Sequence, residues 1–164
     1  MNILGAALIF ISCTAMGVIK ARSITAANRS LADAIELLSI LRREIGSRLA
    51  PLSDIFSLAA DRYAFADDML DAMRSLGDEP FSALWRKCAE KNFSAMPYEA
   101  FNAFINLGEC VGRYDAEAQC AAIERCSDYL AARRDELRRG MDANKRMYLG
   151  LGAACGLVIG IVLI

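Results

Sequence analysis

Residues 147–164 read MYLGLGAACGLVIGIVLI, and none of them carries a charge. At about 1.5 Å of rise per residue, a helix of that length spans about 27 Å, close to the roughly 30 Å hydrocarbon core of a bilayer. Hydrocarbon solvates no backbone N–H or C=O, so such a segment satisfies its own hydrogen bonds only as a helix. Immediately upstream stand Arg138, Arg139, Lys145 and Arg146. The opposite terminus mirrors the pattern. Residues 1–19, MNILGAALIFISCTAMGVI, are uncharged and are followed by Lys20, Arg22 and Arg29. All 19 basic and 20 acidic residues fall between the two stretches. A cleaved leader needs its positive charge ahead of the apolar run, and here it follows. A transmembrane helix is therefore expected over 1–19 and another over 147–164, enclosing a domain over 20–146. Basic residues flank only the inner ends, so the positive-inside rule places that domain in the cytoplasm and both termini outside.

Within the domain, Leu31, Ile35, Leu38, Leu41, Ile45 and Leu49 recur at steps of three and four. That spacing makes one face of a helix, with Arg42, Arg43, Glu44 and Arg48 mainly off it. Pro51 ends this helix and suits the first turn of a second, which carries Leu52, Ile55, Phe56 and Ala59. A third helix is expected from Phe65 to Leu76, with Gly77 as its left-handed cap. Asp78 should cap a fourth, with Pro80 in its first turn and Phe81, Leu84, Trp85 and Cys88 on its apolar side. Pro97 opens a fifth, whose inner stripe is Phe101, Phe104, Ile105, Gly108 and Val111 and whose end is Gly112. Asp115 caps a last helix in which Ile123, Leu130 and Leu137 repeat every seven residues. No proline follows Pro97, so this helix can continue into the second anchor, with Gly140 as its interior weak point. No window alternates as a half-buried strand does. The expected fold class is all-α: an antiparallel helical bundle flanked by an N-terminal and a C-terminal transmembrane helix.

The chain has six Cys and no His. Catalytic triads built on His and His-ligated metal sites are thereby excluded. No CxxC pair occurs, and in a reducing cytoplasm the thiols read as small packing groups. A net charge of −1 leaves no footprint for nucleic acid. Asp67-Asp68-Met69-Leu70-Asp71 has the DDxxD spacing that holds magnesium and diphosphate, but no second acidic motif faces it. It reads instead as acidic residues stabilising a helix's first turn. Gly150 to Gly156 imitates a dinucleotide loop without the strand that must precede one. Gly152, Gly156 and Gly160, spaced by four, make a flat ridge for membrane helix packing. No catalytic residue, metal or cofactor is expected, and the chain reads as a binding protein. The candidate partner-binding residues are those that local packing does not explain. They are Arg42, Arg43 and Glu44 on the outer side of the first domain helix, and Arg133 and Arg134 on the last.

Three stretches, in this order between two anchors, resemble the stage III sporulation protein AB family. Leu41-Arg42-Arg43-Glu44-Ile45 with Ala50-Pro51-Leu52 is similar to its EI…PL segment. Residues 104–119, through Gly108, Gly112, Asp115 and Gln119, are similar to its LG..LG..D…Q segment. Asn144-Lys145 leads into Tyr148-Leu149-Gly150 and the glycine-bearing tail. Between 64 and 95 the likeness is carried by Trp85 alone. The resemblance implies a cell-membrane location, in the mother-cell membrane surrounding the forespore, within the channel complex that links the two cells. It implies a helical domain similar to the F-type platform proteins of type II secretion. It also implies a secretion-type ATPase, stage III sporulation protein AA, as partner alongside the other subunits of the complex. The alternative is a stand-alone membrane scaffold or regulatory protein that turns the same bundle toward a different partner.

Overall fold

A computed structural model describes the backbone of residues 3–48, 50–75, 79–113 and 115–163, and the side chains of residues 22–47, 50–75, 79–113 and 115–140. Nothing between Val18 and Ile45 can interrupt a helix, since that stretch holds neither Pro nor Gly. The first helix accordingly runs unbroken as α1, Ile3–Arg48. It is followed by α2 (Leu52–Ala60), α3 (Ala64–Ser75), α4 (Phe81–Asn92), α5 (Tyr98–Leu107) and α6 (Ala116–Leu163). No strand occurs among the described residues, and the fold is all-α.

Two compact units divide the chain: Met1–Ile24 with Asp135–Ile164, and Thr25–Arg134. The expected transmembrane stretches 1–19 and 147–164 belong to the first. Their side chains lie outside the described residues, as do Gly152, Gly156 and Gly160. Among the described residues, no helix is long and apolar enough to cross a membrane.

The second unit is held together by the inner face of α1. Leu31, Ala34, Leu37, Leu38, Leu41 and Ile45 are buried there. The expected stripe is shifted round the helix by Ala34 and Leu37, while Ile35 is only half-buried. Against α1 lies the first part of α6. Arg134 bonds Asn28, Arg42 pairs with Glu124, and Cys120 donates to the Arg42 carbonyl. Numbers rising along α1 meet numbers falling along α6, so the two helices are antiparallel in this unit. Each of α2 to α5 packs on its neighbour in sequence. α5 runs against α6 in turn, the Cys126 thiol reaching the Ala103 carbonyl and Tyr129 reaching Glu99.

Pro51, Pro80 and Pro97 stand one position earlier than the first turn expected of them. Each is an extended residue, with ψ between 140° and 143°, just ahead of a helix. Its carbonyl accepts the first helical bond, from Asp54, Ala83 and Phe101 respectively. A proline there loses no donor, because the first helical N–H groups have no partner within the helix. The expected caps Gly77 and Asp78 lie outside the described residues, as does Leu49. The fifth helix ends at Leu107, not at Gly112. Gly108, Glu109 and Cys110 donate back to Ile105, Asn106 and Leu107, three residues away, which tightens the chain out of the α-helix.

The centre of this unit is aromatic. Phe56, Phe65, Trp85 and Phe104 are at most 1% exposed, and Phe93 is buried beside them. Phe65 meets Trp85 edge-on at 4.9 Å, and Trp85 stacks on Phe104 at 4.8 Å. Burying one such ring contributes roughly 1.5–3 kcal/mol.

Candidate functional site

Four of the family-motif residues, Gly108, Gly112, Asp115 and Gln119, lie at and just beyond the turn between α5 and α6. Trp85 is 0% exposed, and its indole N–H donates to the Phe104 carbonyl at 2.8 Å. That bond turns the ring across Gly108. A Cβ at Gly108 would stand 2.5 Å from Trp85 Cδ1 and Cγ, closer than any side chain tolerates. Four residues on, Gly112 has φ +79°, a left-handed conformation that costs other residues about 1 kcal/mol or more. Its amide donates to Gln119 Oε1 at 3.0 Å. Asp115 caps α6, as its position in the sequence suggests: its carboxylate accepts the Ala118 amide at 2.7 Å. Gly108, Gly112, Asp115 and Gln119 thus build one packed corner, and Pro51 leads α2 toward it, Leu52 Cδ1 lying 3.1 Å from the position of a Gly112 Cβ.

Glu44 requires a correction. It is 7% exposed and turned inward, not to the outer side of α1. The reason is its spacing of three from Leu41 and seven from Leu37, both at 0% exposure. Arg43 Nε donates to it at 3.1 Å. Nor are the other candidates unexplained by local packing. Arg42 pairs with Glu124 at 3.0 Å, with both side chains about half exposed. Arg133 pairs with Glu99 and lies over the Tyr129 ring at 5.7 Å. Arg134 donates to Asn28 at 3.3 Å. Arg43 remains the most open of the five, at 66% side-chain exposure.

The acidic DDxxD stretch is structural in the same sense. Asp68 accepts from Lys91 and Asn92, each at 2.7 Å, and so ties α3 to α4. Burial alone would raise its pKa, but these two hydrogen bonds outweigh burial and hold the carboxyl below its ordinary value. Among the described residues no group of His, Cys, Asp and Glu could hold a metal ion. Glu36 similarly joins α1 to the α2–α3 turn, accepting from Tyr63 at 2.6 Å and Arg62 at 2.9 Å. Burial, helped by that carboxylate, pushes the Tyr63 hydroxyl up to about 12. Burial also pushes the Cys126 thiol up to about 12, leaving it a packing group rather than a nucleophile.

What sequence reasoning missed is apolar. Tyr98 is 79% exposed, Leu58 61% and Tyr129 38%. Tyr98 opens α5 one residue before Glu99, which pairs with Arg133 and Tyr129 of α6. A signal was available for Leu58, which falls off the inner stripe of its helix, whereas Tyr98 keeps the spacing of Phe101 and Ile105 and is exposed all the same. Exposed tyrosine beside arginine is the composition of interface hot spots.

The fold and this surface define an all-helical bundle whose polar side chains join one helix to the next. The family described as stage III sporulation protein AB (spore_III_AB) matches residues 2–164. The chain belongs to that family, and its role is related to sporulation. No curated protein and no solved structure matches it.

Proposed function

We propose that the chain is a non-enzymatic platform subunit of a membrane complex. Its two apolar ends cross the bilayer, and its bundle recruits a secretion-type ATPase on the cytoplasmic side. The observation that carries this reading is the use of the motif residues. Gly108, Gly112, Asp115 and Gln119 are spent on the shape of one corner. A corner of fixed shape, with the exposed Tyr98 and the Tyr129–Arg133 pair on the same two helices, is suited to docking. The arginines Arg42 and Arg43 supply a second contact area, where charge tunes association more than affinity.

The test is co-purification of the ATPase with the full chain from sporulating cells. Tyr98→Ala removes a ring that is 79% exposed, so it should leave the helical circular dichroism spectrum unchanged while reducing recovery of the ATPase. Reversing Arg42 and Arg43 to Glu should reduce it too, at a cost in stability of about 1 kcal/mol or less for the exposed Arg42–Glu124 pair and a further cost for the Arg43 bond to the buried Glu44. Adding Glu124→Arg restores the local pair with opposite sign. If that restores recovery of the ATPase, the arginines act through the fold and not as docking residues. If the unmutated chain never retains the ATPase, the stand-alone scaffold becomes the better reading.

A further inference from the structure

Charge is divided unequally between the two units. Residues 1–24 and 135–164 hold six basic residues (Lys20, Arg22, Arg138, Arg139, Lys145 and Arg146) against three acidic ones, a net of +3. Residues 25–134 hold thirteen basic against seventeen acidic residues, a net of −4. Of the six, Arg22, Arg138 and Arg139 are described, and all three are exposed. None of the three takes part in an ion pair or hydrogen bond among the described residues. Next to Arg139, a Cβ at Gly140 would meet nothing within 4 Å. Among the described residues these three cations have no internal use.

Their heights along the helices decide what can use them. Arg22 stands three residues beyond Ile19, about 4.5 Å along α1. Arg138 and Arg139 precede Met147 by nine and eight residues, about 12–13 Å along α6. The headgroup layer is about 5–7 Å thick on each side of the hydrocarbon. Arg22 therefore falls within that layer. Arg138 and Arg139 fall about 6 Å beyond it, inside the roughly 8 Å physiological screening length.

We infer that this basic girdle, through Arg22, Arg138 and Arg139, binds the phosphates of anionic phospholipid headgroups, so that the chain selects acidic lipid around its anchors. The inference rests on the reading that the apolar ends cross a bilayer. Guanidinium groups donate in pairs to phosphate oxygens, which favours a phosphodiester carrying net charge over a zwitterionic headgroup.

The experiment reconstitutes the full chain in vesicles of phosphatidylcholine and phosphatidylglycerol in equal parts. Resistance to alkaline carbonate reports spanning, and spin-labelled lipids report headgroup preference separately. The expected result is a carbonate-resistant chain on which labelled phosphatidylglycerol associates about fivefold more strongly than labelled phosphatidylcholine. The preference should shrink at about 1 M salt, where the screening length falls to about 3 Å. It should also shrink in R22Q/R138Q/R139Q, with carbonate resistance kept, because these side chains are exposed. Inorganic phosphate should displace no more lipid than chloride at equal ionic strength. Equal association of the two labelled lipids with an inserted chain overturns the girdle. A chain that carbonate strips from the vesicles, yet that floats with acidic ones, overturns the spanning reading and leaves headgroup recognition standing.

Discussion

Trp85→Ala should lower the unfolding free energy of the bundle by about 4 kcal/mol, in the range typical of deleting a large core aromatic. The ring is 0% exposed and lies within 6.5 Å, centroid to centroid, of Phe56, Phe65, Phe81 and Phe104. Its removal opens a cavity among side chains that cannot all move in. It also leaves the Phe104 carbonyl without the indole donor that now meets it at 2.8 Å. Guanidinium unfolding of the detergent-solubilised chain, followed by circular dichroism at the helical band, measures the loss. Trp85→Phe separates the two causes. It keeps most of the volume, loses the hydrogen bond, and should cost about 1–3 kcal/mol. If Trp85→Ala is neutral, the aromatic cluster is not the centre of the fold.

Gly108→Ala should cost about 3 kcal/mol, at the upper end of ordinary overpacking. The added methyl would lie 2.5 Å from two ring atoms of Trp85 and 2.9 Å from its Cβ. Swinging the ring aside does not relieve the last contact, so the backbones of α4 and of the α5–α6 turn must separate. The same methyl in a Trp85→Ala background enters the space the indole left. There it loses both ring contacts and keeps only the 2.9 Å contact to Cβ, so it should cost clearly less than in the native chain, a departure from additivity between two touching residues. Equal costs in the two backgrounds would show that the glycine serves a need unrelated to the ring.

The helices themselves were legible because each is bounded by a local device. Pro51, Pro80 and Pro97 lie at helix starts, and Asp115 caps α6 through its own side chain. The absence of Pro and Gly from residues 18–45 lets α1 run on without a break. The inner faces were less legible. A stripe drawn through Leu31, Ile35 and Leu38 is as periodic as one drawn through Leu31, Ala34 and Leu38. Tertiary packing chooses the second, which buries Leu37 and takes Glu44 inward with it.

The candidate surface was harder still. Arg42–Glu124, Arg133–Glu99 and Arg134–Asn28 join residues 82, 34 and 106 positions apart. No local pattern marks such pairs, because they depend on the register between helices. Gly108 shows the same limit: within α5 it reads as one more small residue on the stripe, and its necessity comes from a ring 23 residues earlier. The family motif marks Gly108 and Gly112 but none of the residues in those three pairs. Its motif glycines are fixed by contacts that leave no periodic trace.

Most directly at issue is whether two bilayer-crossing ends hold this bundle inside the cell. Single cysteines introduced at Asn2 and after Ile164, in a chain whose native cysteines are replaced, can be probed on intact cells with a membrane-impermeant thiol reagent. A third cysteine at Tyr98, at 79% exposure, serves as the cytoplasmic reporter. The account predicts labelling at both ends in intact cells, and labelling at position 98 only after the cells are broken. Labelling at position 98 from outside, or protection of both ends, would contradict it.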